Sequence, residues 1–478
     1  MKVIKNYLYN AGYQILIMLA PLITTPYVSR VLGPHNNGIY AYTTGWVTFF
    51  YLIGQLGITM YGNREISYNR DDPIKRSQTF WGIESLQLMT VFLTLIAYIV
   101  IVFLFSTTFR EYFLIQSVWI VAAAFDVSWY FMGLEDFKRT VTRNTIVKLL
   151  SILMIFTFVK QESDLWKYIL LLDGASLVGN LTLWPYLPKT VRWVPIKTWH
   201  PWKHFYPSLL LFVPTVTTQV YLVVNRLMLG RMSTQTALGQ FDYADRLVKL
   251  VIAIVTASGT VMLPHIASKY AKGQVKEVRK SLYIFFDFST AIAIPMMFGM
   301  MAISAKMTPW FLGNKYIEAG KIVFYEAPVI LFISWSTVTG NQYLIPINRV
   351  REYTVSVTIG AVVNVISNLV LIYLWGVNGA AIASVLSEFS VAAYQLFCIR
   401  GTIRRRQLFS SLWKYFLAGI IMFVVVYRMD QYMSMNIIHL IVQVAAGIIL
   451  YLIGIITLRA PIVHQALQLI ANRRGNKE

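Results

Sequence analysis

Apolar residues form long blocks along this chain, and short polar connections separate the blocks. Each block has roughly 18 to 26 residues, and an α-helix needs about 20 residues to cross a hydrocarbon core about 30 Å thick. The pattern therefore predicts fourteen membrane-spanning helices. They lie at Leu8–Leu32, Ile39–Tyr61, Phe80–Phe105, Tyr112–Gly133, Thr142–Val159, Trp166–Leu187, Phe205–Leu229, Leu238–Leu263, Leu282–Ala305, Ile322–Ile345, Thr354–Leu374, Val377–Ile399, Leu412–Val426 and Ile437–Leu458.

The composition agrees with this pattern. Of the 478 residues, 57% are hydrophobic and only 13% are charged, against roughly 25% charged residues in an ordinary soluble domain. The first block follows Lys2 and Lys5 as in a signal peptide, but it is too long and has no small-x-small cleavage pattern, so we expect it to be retained. The expected fold class is an all-α polytopic membrane protein with little sequence left for a soluble domain.

Lys and Arg residues are distributed unequally between the two sides of the predicted membrane domain. With the N-terminus inside, the inner connections, the termini and the adjoining helix ends hold 30 of the 42 basic residues, and the outer connections with their adjoining helix ends hold 8. Because cytoplasmic connections carry the excess of Lys and Arg, both termini are predicted to lie in the cytoplasm, on a multi-pass protein of the cell membrane. The net charge of +21 follows from this bias, which attracts anionic membrane lipids, and we expect no nucleic-acid partner.

The chain contains an internal repeat. "PLITT" from Pro21 parallels "PTVTT" from Pro214, and Arg30 then parallels Arg226. Six helices separate the two copies, so both copies enter the membrane in the same direction, as in transporters built from parallel repeats. We therefore predict two six-helix lobes and two additional helices. The predicted divisions are the N-terminal lobe (1–188), a cytoplasmic linker (189–204), the C-terminal lobe (205–400), and two helices with a basic cytoplasmic tail (401–478).

Three prolines lie inside the repeated helices. Pro21 and Pro26 are in helix 1, and Pro214 is in its counterpart. Each removes a backbone donor and favours a kink. They are candidates for hinges, but packing bends are an equal alternative because membrane helices are generally rich in proline.

A charged stripe opens the eighth predicted helix. Asp242, Asp245, Arg246 and Lys249 follow the spacing i, i+3, i+4 and i+7, so one helix face carries all four, with two acid-first i, i+4 pairs. Charges at membrane depth usually face a wet cavity rather than lipid. Together with Arg30 and Arg226, the two cations of the stripe are typical of a polyanion site, since guanidinium groups match phosphate oxygens. The alternative is that the span begins only at Leu247, with the aspartates and Arg246 in an interfacial turn and the Lys249 side chain extending to the interface. For Arg30 and Arg226 the alternative is a role as interfacial anchors.

Other polar residues within the spans are candidates for binding a coupling ion. Asp126, Asp173, Asn364 and Glu388 offer oxygen atoms to a proton or a sodium ion, although a structural role is the main alternative for each. The chain has one cysteine and no P-loop, HExxH or nucleophile-elbow motif. We therefore expect no cofactor and no metal centre, and we expect work to be driven by an ion or substrate gradient.

Several segments resemble a known family. They are "ITTPYVSRVLG", "GIYAYT", "LGITMYGNREIS", "DVSWYFMGLEDFKRTVTRN", "YADRLVKL", "GTVMLPHIA" and "GNQYLIPINR". They are similar to segments of the polysaccharide-type (Wzx-like) flippases of the multidrug/oligosaccharidyl-lipid/polysaccharide exporter superfamily. The resemblance extends from about Tyr9 to Glu388.

The resemblance implies fourteen helices in two lobes, no enzyme activity, and a defined substrate. That substrate is an oligosaccharide repeat unit on polyprenyl pyrophosphate, moved from the cytoplasmic to the outer leaflet for synthesis of capsule, exopolysaccharide or O-antigen-like polymer, with a polysaccharide polymerase as a candidate partner. By position, it implies that Arg30 and Arg246 bind the pyrophosphate. The repeat and the stripe add Arg226 and Lys249.

Two other functions remain open from the sequence. A cation-coupled multidrug exporter of the same superfamily would typically have twelve helices and a less basic cavity. A membrane polysaccharide polymerase would need a sizeable outer loop, whereas the longest outer connection here covers only residues 306–321.

Overall fold

The computed structural model describes residues 2–106, 108–256 and 262–464, with every side chain in these ranges except those at 2–18, 137, 213–218 and 220–222. Regular structure in these ranges is helical throughout, as predicted. The α-helices are α1 (Lys2–Gln55), α2 (Ile58–Asn69), α3 (Pro73–Phe105), α4 (Arg110–Ala124), α5 (Ser128–Gly133), α6 (Phe137–Phe158), α7 (Leu165–Leu181), α8 (Pro201–Met232), α9 (Gln235–Thr256), α10 (Met262–Ala271), α11 (Val275–Leu312), α12 (Ile317–Glu326), α13 (Val329–Ser336), α14 (Val350–Cys398), α15 (Arg405–Leu408), α16 (Leu412–Tyr432) and α17 (Ile437–Thr457). A π-helical segment, Thr337–Leu344, follows α13.

Many of these helices are suited to a membrane. Within the described ranges, seven are long and apolar enough to cross one, or eight if the bent pair Asn314–Glu326 and Val329–Leu344 forms one span. On α3, Phe92 and Leu93 are each 62% exposed, as expected of side chains that face lipid rather than water. The fold is that of an all-α multi-pass membrane protein, and the count of fourteen spans stays a prediction.

Two of the longest elements each consist of two helices that meet at a glycine. The backbone of α1 leaves helical geometry at Gly33 (φ 72°, ψ 172°), directly before Pro34, and that of α14 does so at Gly376 (φ 56°, ψ −131°). A positive φ favours glycine because it has no Cβ. These two positions fall between predicted helices 1 and 2 and between predicted helices 11 and 12.

The two arms of α14 are tied together along their length. Ser387 Oγ donates to the carbonyl of Gly360 at 2.8 Å, and Gln395 Nε2 donates to Ser356 Oγ at 2.9 Å. Near the turn, a Cβ on Gly379 would lie 1.9 Å from the Leu371 carbonyl oxygen. Only glycine permits this approach, so the hairpin is closed both at its turn and along its arms.

Some predicted spans are interrupted. The predicted helix Ile39–Tyr61 ends at Gln55 and resumes as α2, because Gly57 adopts φ 70° and leaves no room for a Cβ, which would lie 2.7 Å from the Phe212 nitrogen. The predicted helix Tyr112–Gly133 is likewise divided into α4 and α5. Gln87 Nε2 holds this second break by donating to the carbonyls of Ala123 (2.6 Å) and Asp126 (3.1 Å).

The chain divides into two compact units, Met1–Gly230 and Arg231–Glu478. In the second unit α16 and α17 pack on α11, where Tyr415 donates to Asp287 Oδ2 (2.8 Å) and Tyr451 donates to the Ala291 carbonyl (2.8 Å). This division groups α8 with the first unit, whereas the sequence repeat assigns it to the second lobe. The repeat-based lobes (1–188 and 205–400) stay a prediction.

Candidate functional site

The charged stripe lies on α9, which is continuously helical from Gln235 to Thr256. Arg246 Nη2 lies 2.7 Å from Asp242 Oδ2, and Lys249 Nζ lies 2.6 Å from Asp245 Oδ2. Both i, i+4 pairs that the spacing indicates are therefore present. Because the helix does not break before Leu247, the four charges share one rigid element.

The two members of each ion pair differ in exposure. The side chains of Asp242 and Asp245 are 0% and 12% exposed, whereas those of Arg246 and Lys249 are 35% and 43% exposed. The two carboxylates are thus buried, and the two cationic groups are partly exposed. The exposed part of the stripe is therefore cationic, although the four formal charges of the stripe sum to zero.

Neighbouring side chains fix the stripe in place. Gln240 accepts from the Ala319 backbone nitrogen (3.0 Å) and donates to the Lys315 carbonyl (2.6 Å), which ties α9 to the start of α12. The Arg246 guanidinium lies 4.9 Å from the centre of the Tyr243 ring. Sequence reasoning did not connect Glu326 with the stripe, yet this buried residue of α12 interacts with both Asp245 and Lys249.

The other two predicted phosphate-binding residues belong to the first unit. Arg30 is exposed on α1, three residues before the turn at Gly33, and Arg226 is half-buried on α8. Each makes interactions within the protein. Their binding of a pyrophosphate stays a prediction.

The hinge candidates do not coincide with the break in α1. The helix continues through Pro21 and Pro26 and leaves helical geometry only at Gly33. Ser29 Oγ donates to the Pro26 carbonyl at 3.1 Å. The backbone of α8 is helical at Pro214, whose side chain lies outside the described set. A hinge role for the three prolines stays a prediction.

The candidates for ion coupling are divided between the two units. Asp126 lies in the break between α4 and α5, where its Oδ1 accepts from the Ser128 nitrogen (3.0 Å). Asp173 is buried on α7, and Asn364 accepts from Asn368 on the first arm of α14 (3.0 Å), while the buried Glu388 lies on the second arm. Within the described ranges, no three His, Cys, Asp or Glu residues group as metal ligands would.

A polar cavity in the first unit was missed by the sequence analysis. Arg143 and Lys148 lie near the inner end of the predicted helix Thr142–Val159 and were counted with the basic residues of the inner side. In the structure both lie on α6 and line a cavity of about 320 Å³ together with Asp126. The i, i+4 spacing of Arg139 and Arg143 is the signal that could have indicated a cationic helix face.

Two family models each match more than half of the chain. The model of polysaccharide biosynthesis proteins matches residues 3–270, and the model of the lipid II flippase MurJ matches residues 149–445. The helical fold and these matches define a membrane transporter of the multidrug/oligosaccharidyl-lipid/polysaccharide exporter superfamily. Within it, the chain belongs to the polysaccharide biosynthesis protein family, as the resemblance implied.

Individual relatives agree with this membership. A protein of Escherichia coli (strain K12) described as an O-antigen transporter is 22% identical over 404 residues, which cover 83% of this chain and 96% of that protein. The lipid II flippase MurJ of Bacillus subtilis (strain 168) is 25% identical over 161 residues, which cover 33% of this chain and 29% of that protein.

Solved structures share the fold. The lipid II flippase MurJ in an inward closed conformation has a TM-score of 0.72 and 17% sequence identity, with 95% of this chain and 99% of that chain covered. An inward-facing multidrug resistance transporter of the MATE family has a TM-score of 0.64 and 12% identity, with 82% and 97% covered. At these identities the likeness concerns the fold alone.

Proposed function

We propose that this protein is a flippase. It moves oligosaccharide repeat units linked to polyprenyl pyrophosphate from the cytoplasmic to the outer leaflet of the cell membrane by alternating access, and it supplies cell-surface polysaccharide synthesis. Its family membership and the O-antigen and lipid II relatives support this substrate class. The protein is a transporter rather than an enzyme and uses no cofactor.

The exposure pattern of the α9 stripe carries the proposal. Burial of Asp242 and Asp245 leaves Arg246 and Lys249 accessible to an incoming anion, and the paired state keeps the stripe stable when no substrate is bound. Asp242 is buried, so moving the Arg246 guanidinium away from it would leave an uncompensated carboxylate. A guanidinium has five N–H donors, so Arg246 can keep its contact with Asp242 and donate further hydrogen bonds to a pyrophosphate, each contributing about 1.5 to 3 kcal/mol.

We assign the pyrophosphate to Arg246 and Lys249 of the α9 stripe, and we keep Arg30 and Arg226 of the first unit as further phosphate-binding candidates from the sequence repeat and the resemblance. The arginines suit phosphate oxygens because a guanidinium can donate two parallel hydrogen bonds. Asp242 and Asp245 are the resting partners of Arg246 and Lys249. The polyprenyl chain stays in the lipid, since burying it in a wet polar site would be unfavourable.

The proposal includes a topology and a source of driving force. Both termini lie in the cytoplasm, in agreement with the Lys and Arg bias of the connections. A sodium ion or a proton bound at Asp126, Asp173, Asn364 or Glu388 couples transport to an ion gradient, and Pro21, Pro26 and Pro214 act as hinges. A polysaccharide polymerase takes up the delivered repeat unit.

Leaflet-resolved detection of lipid-linked oligosaccharide tests the proposal. Cells depleted of the protein are supplied again with wild type, Arg246→Ala or Arg231→Ala, and equal amounts in the membrane are verified. Arg231 is an exposed residue at the end of α8 and serves as the matched control. We expect inner-leaflet accumulation on depletion, rescue by wild type and Arg231→Ala, and at least about tenfold slower delivery with Arg246→Ala, as loss of a charged hydrogen bond implies.

The outcomes separate the functions that the sequence left open. Normal outward delivery after depletion would overturn the flippase proposal. Efflux of a cationic dye that depends on the protein would favour the multidrug exporter. Normal delivery without polymerisation would favour a polymerase. Full rescue by Arg246→Ala would retain the flippase but remove the stripe from its binding site.

A further inference from the structure

A cavity within the unit Met1–Gly230 contains charges that the pyrophosphate site does not use. Arg143 and Lys148 of α6 and Asp126 line this space of about 320 Å³. Ligand pockets in proteins have volumes of about 300 to 1,000 Å³, so this cavity suits one small group rather than a whole repeat unit. Two cations against one carboxylate favour an anionic occupant.

Neutral groups hold the arginine in position. Arg143 Nη1 donates to Asn180 Oδ1 on α7 at 2.8 Å, and Nε donates to Asn144 Oδ1 at 2.8 Å. An amide oxygen orients a guanidinium without adding a negative charge. Arg143 is thus positioned in advance, which lowers the entropy lost when an anion binds.

One wall of the cavity is aromatic. Tyr51 of α1 and Trp119 of α4 stack with ring centres 4.6 Å apart and an angle of 20° between their planes, and both line the cavity. Aromatic side chains combine an apolar face with a polar edge, which suits the C–H face of a sugar ring. Asp126, Asn144 and Asn180 provide acceptors and donors for hydroxyl groups.

A second, basic cavity adjoins the first. Its volume is about 510 Å³, and it shares Arg143 and Val147 with the aromatic-walled cavity. Lys138 and Arg139 line it, with Arg139 Nε 2.8 Å from Asp136 Oδ2. Cations therefore continue along α6 from its first turn to Lys148, and they would guide an acidic group toward Arg143.

We propose that the aromatic-walled cavity binds an acidic sugar of the transported oligosaccharide, with the sugar carboxylate on Arg143 and Lys148 and the ring against Trp119. The proposal rests on the proposed function for the origin of the sugar. A phosphate group would satisfy the cations but would leave the aromatic wall and the hydroxyl-binding groups without a role. The cavity thereby selects among repeat units by their sugars, separately from the pyrophosphate that they all share.

Binding to the purified, full-length protein in lipid nanodiscs tests this proposal without requiring transport. The probes are a disaccharide containing glucuronic acid, the matching neutral disaccharide of glucose, and inorganic pyrophosphate. Calorimetry measures affinity, and quenching of tryptophan fluorescence that is absent in Trp119→Phe places the ligand in the cavity. The variants are Arg143→Gln and Lys148→Gln, with Arg192→Gln as a control at an exposed arginine outside both cavities.

We expect the acidic disaccharide to bind more tightly than the neutral one and to lose about tenfold or more in affinity with Arg143→Gln, but not with Arg192→Gln. If the melting temperature shows that Arg143→Gln is not stably folded, the affinity of Lys148→Gln for the acidic disaccharide tests the proposal by the same criterion. Equal affinity in the variants, absence of saturable binding, or pyrophosphate competing for Arg143 would each overturn the proposal. The flippase proposal is judged by leaflet delivery and does not depend on this result.

Discussion

Helices α9 and α6 both carry cations within a membrane domain, but they hold them differently. On α9, carboxylates of the same helix pair with Arg246 and Lys249 at 2.7 and 2.6 Å. On α6, Arg143 donates to neutral amides, one of them on another helix. A carboxylate partner opposes the binding of a second anion to the cation, whereas an amide partner orients the cation without adding a negative charge.

The two helices also differ in how far the sequence alone predicts the partners of their cations. The pairs on α9 follow from spacing within one helix, so the sequence alone identifies them. The partner of Arg143 is Asn180, which lies 37 residues further along the chain, and no local pattern connects the two. From the sequence alone, Arg143 is one more basic residue near the inner face. Its partner becomes evident only from the packing of α6 against α7.

Converting the amide-held arginine into an acid-paired one should have the largest effect. In Asn180→Asp the new carboxylate lies beside Arg143 and competes with any bound anion. We expect affinity for an acidic disaccharide to fall tenfold or more, equivalent to at least about 1.4 kcal/mol. Calorimetry on the nanodisc-embedded protein measures this change.

Asn180→Ala is the matched control for that substitution. Both variants lose the hydrogen bond from Asn180 Nδ2 to the Ala122 carbonyl (2.6 Å). The aspartate keeps an acceptor for Arg143 and adds charge, whereas the alanine removes the acceptor. If the two variants weaken binding equally, the added charge is not the cause, and the contrast with α9 is lost.

The reverse conversion on α9 should have a smaller effect of opposite sign. Asp242→Asn keeps the shape of the buried side chain and removes the charge opposing Arg246. We expect inorganic pyrophosphate to bind about fivefold more tightly, equivalent to about 1 kcal/mol, because the carboxylate no longer repels it. Titration of the purified protein measures it, and weaker binding would show that Asp242 supports the cationic site instead of competing for it.

Lys249→Ala should have the smallest effect of the three. Its side chain is 43% exposed, and an ammonium group makes a less directional contact with phosphate than a guanidinium does. We expect pyrophosphate affinity to fall by less than about threefold. A loss as large as that for Arg246→Ala would place the lysine at the centre of the site.

The parts of the fold that could be predicted are those that depend on the length of the apolar blocks. The apolar blocks indicated the helices, and the polar or glycine-containing gaps at Gly33 and Gly376 fell at the turns of α1 and α14. The breaks at Gly57 and before Ser128 did not follow. Gly57 lies within an apolar block, and its constraint comes from contact with Phe212, which is distant in sequence.

In the candidate site, too, the features that could not be predicted depend on tertiary packing. Burial of Asp242 and Asp245 depends on tertiary packing, and the interaction of Glu326 with Asp245 and Lys249 depends on how α9 packs against α12. Charge spacing indicates which residues can pair, but only tertiary packing decides which member of each pair faces outward.

The hairpin of α14 has a mechanical consequence. The backbone leaves helical geometry only at Gly376. Further along the arms, the hydrogen bonds Ser387–Gly360 and Gln395–Ser356 join the two helices. Sliding of the arms past each other would break these bonds, so we expect the hairpin to move as one rigid body. A pair of spin labels, one on each arm, would keep a constant separation throughout a transport cycle and would provide an internal ruler against which motion elsewhere in the protein could be measured.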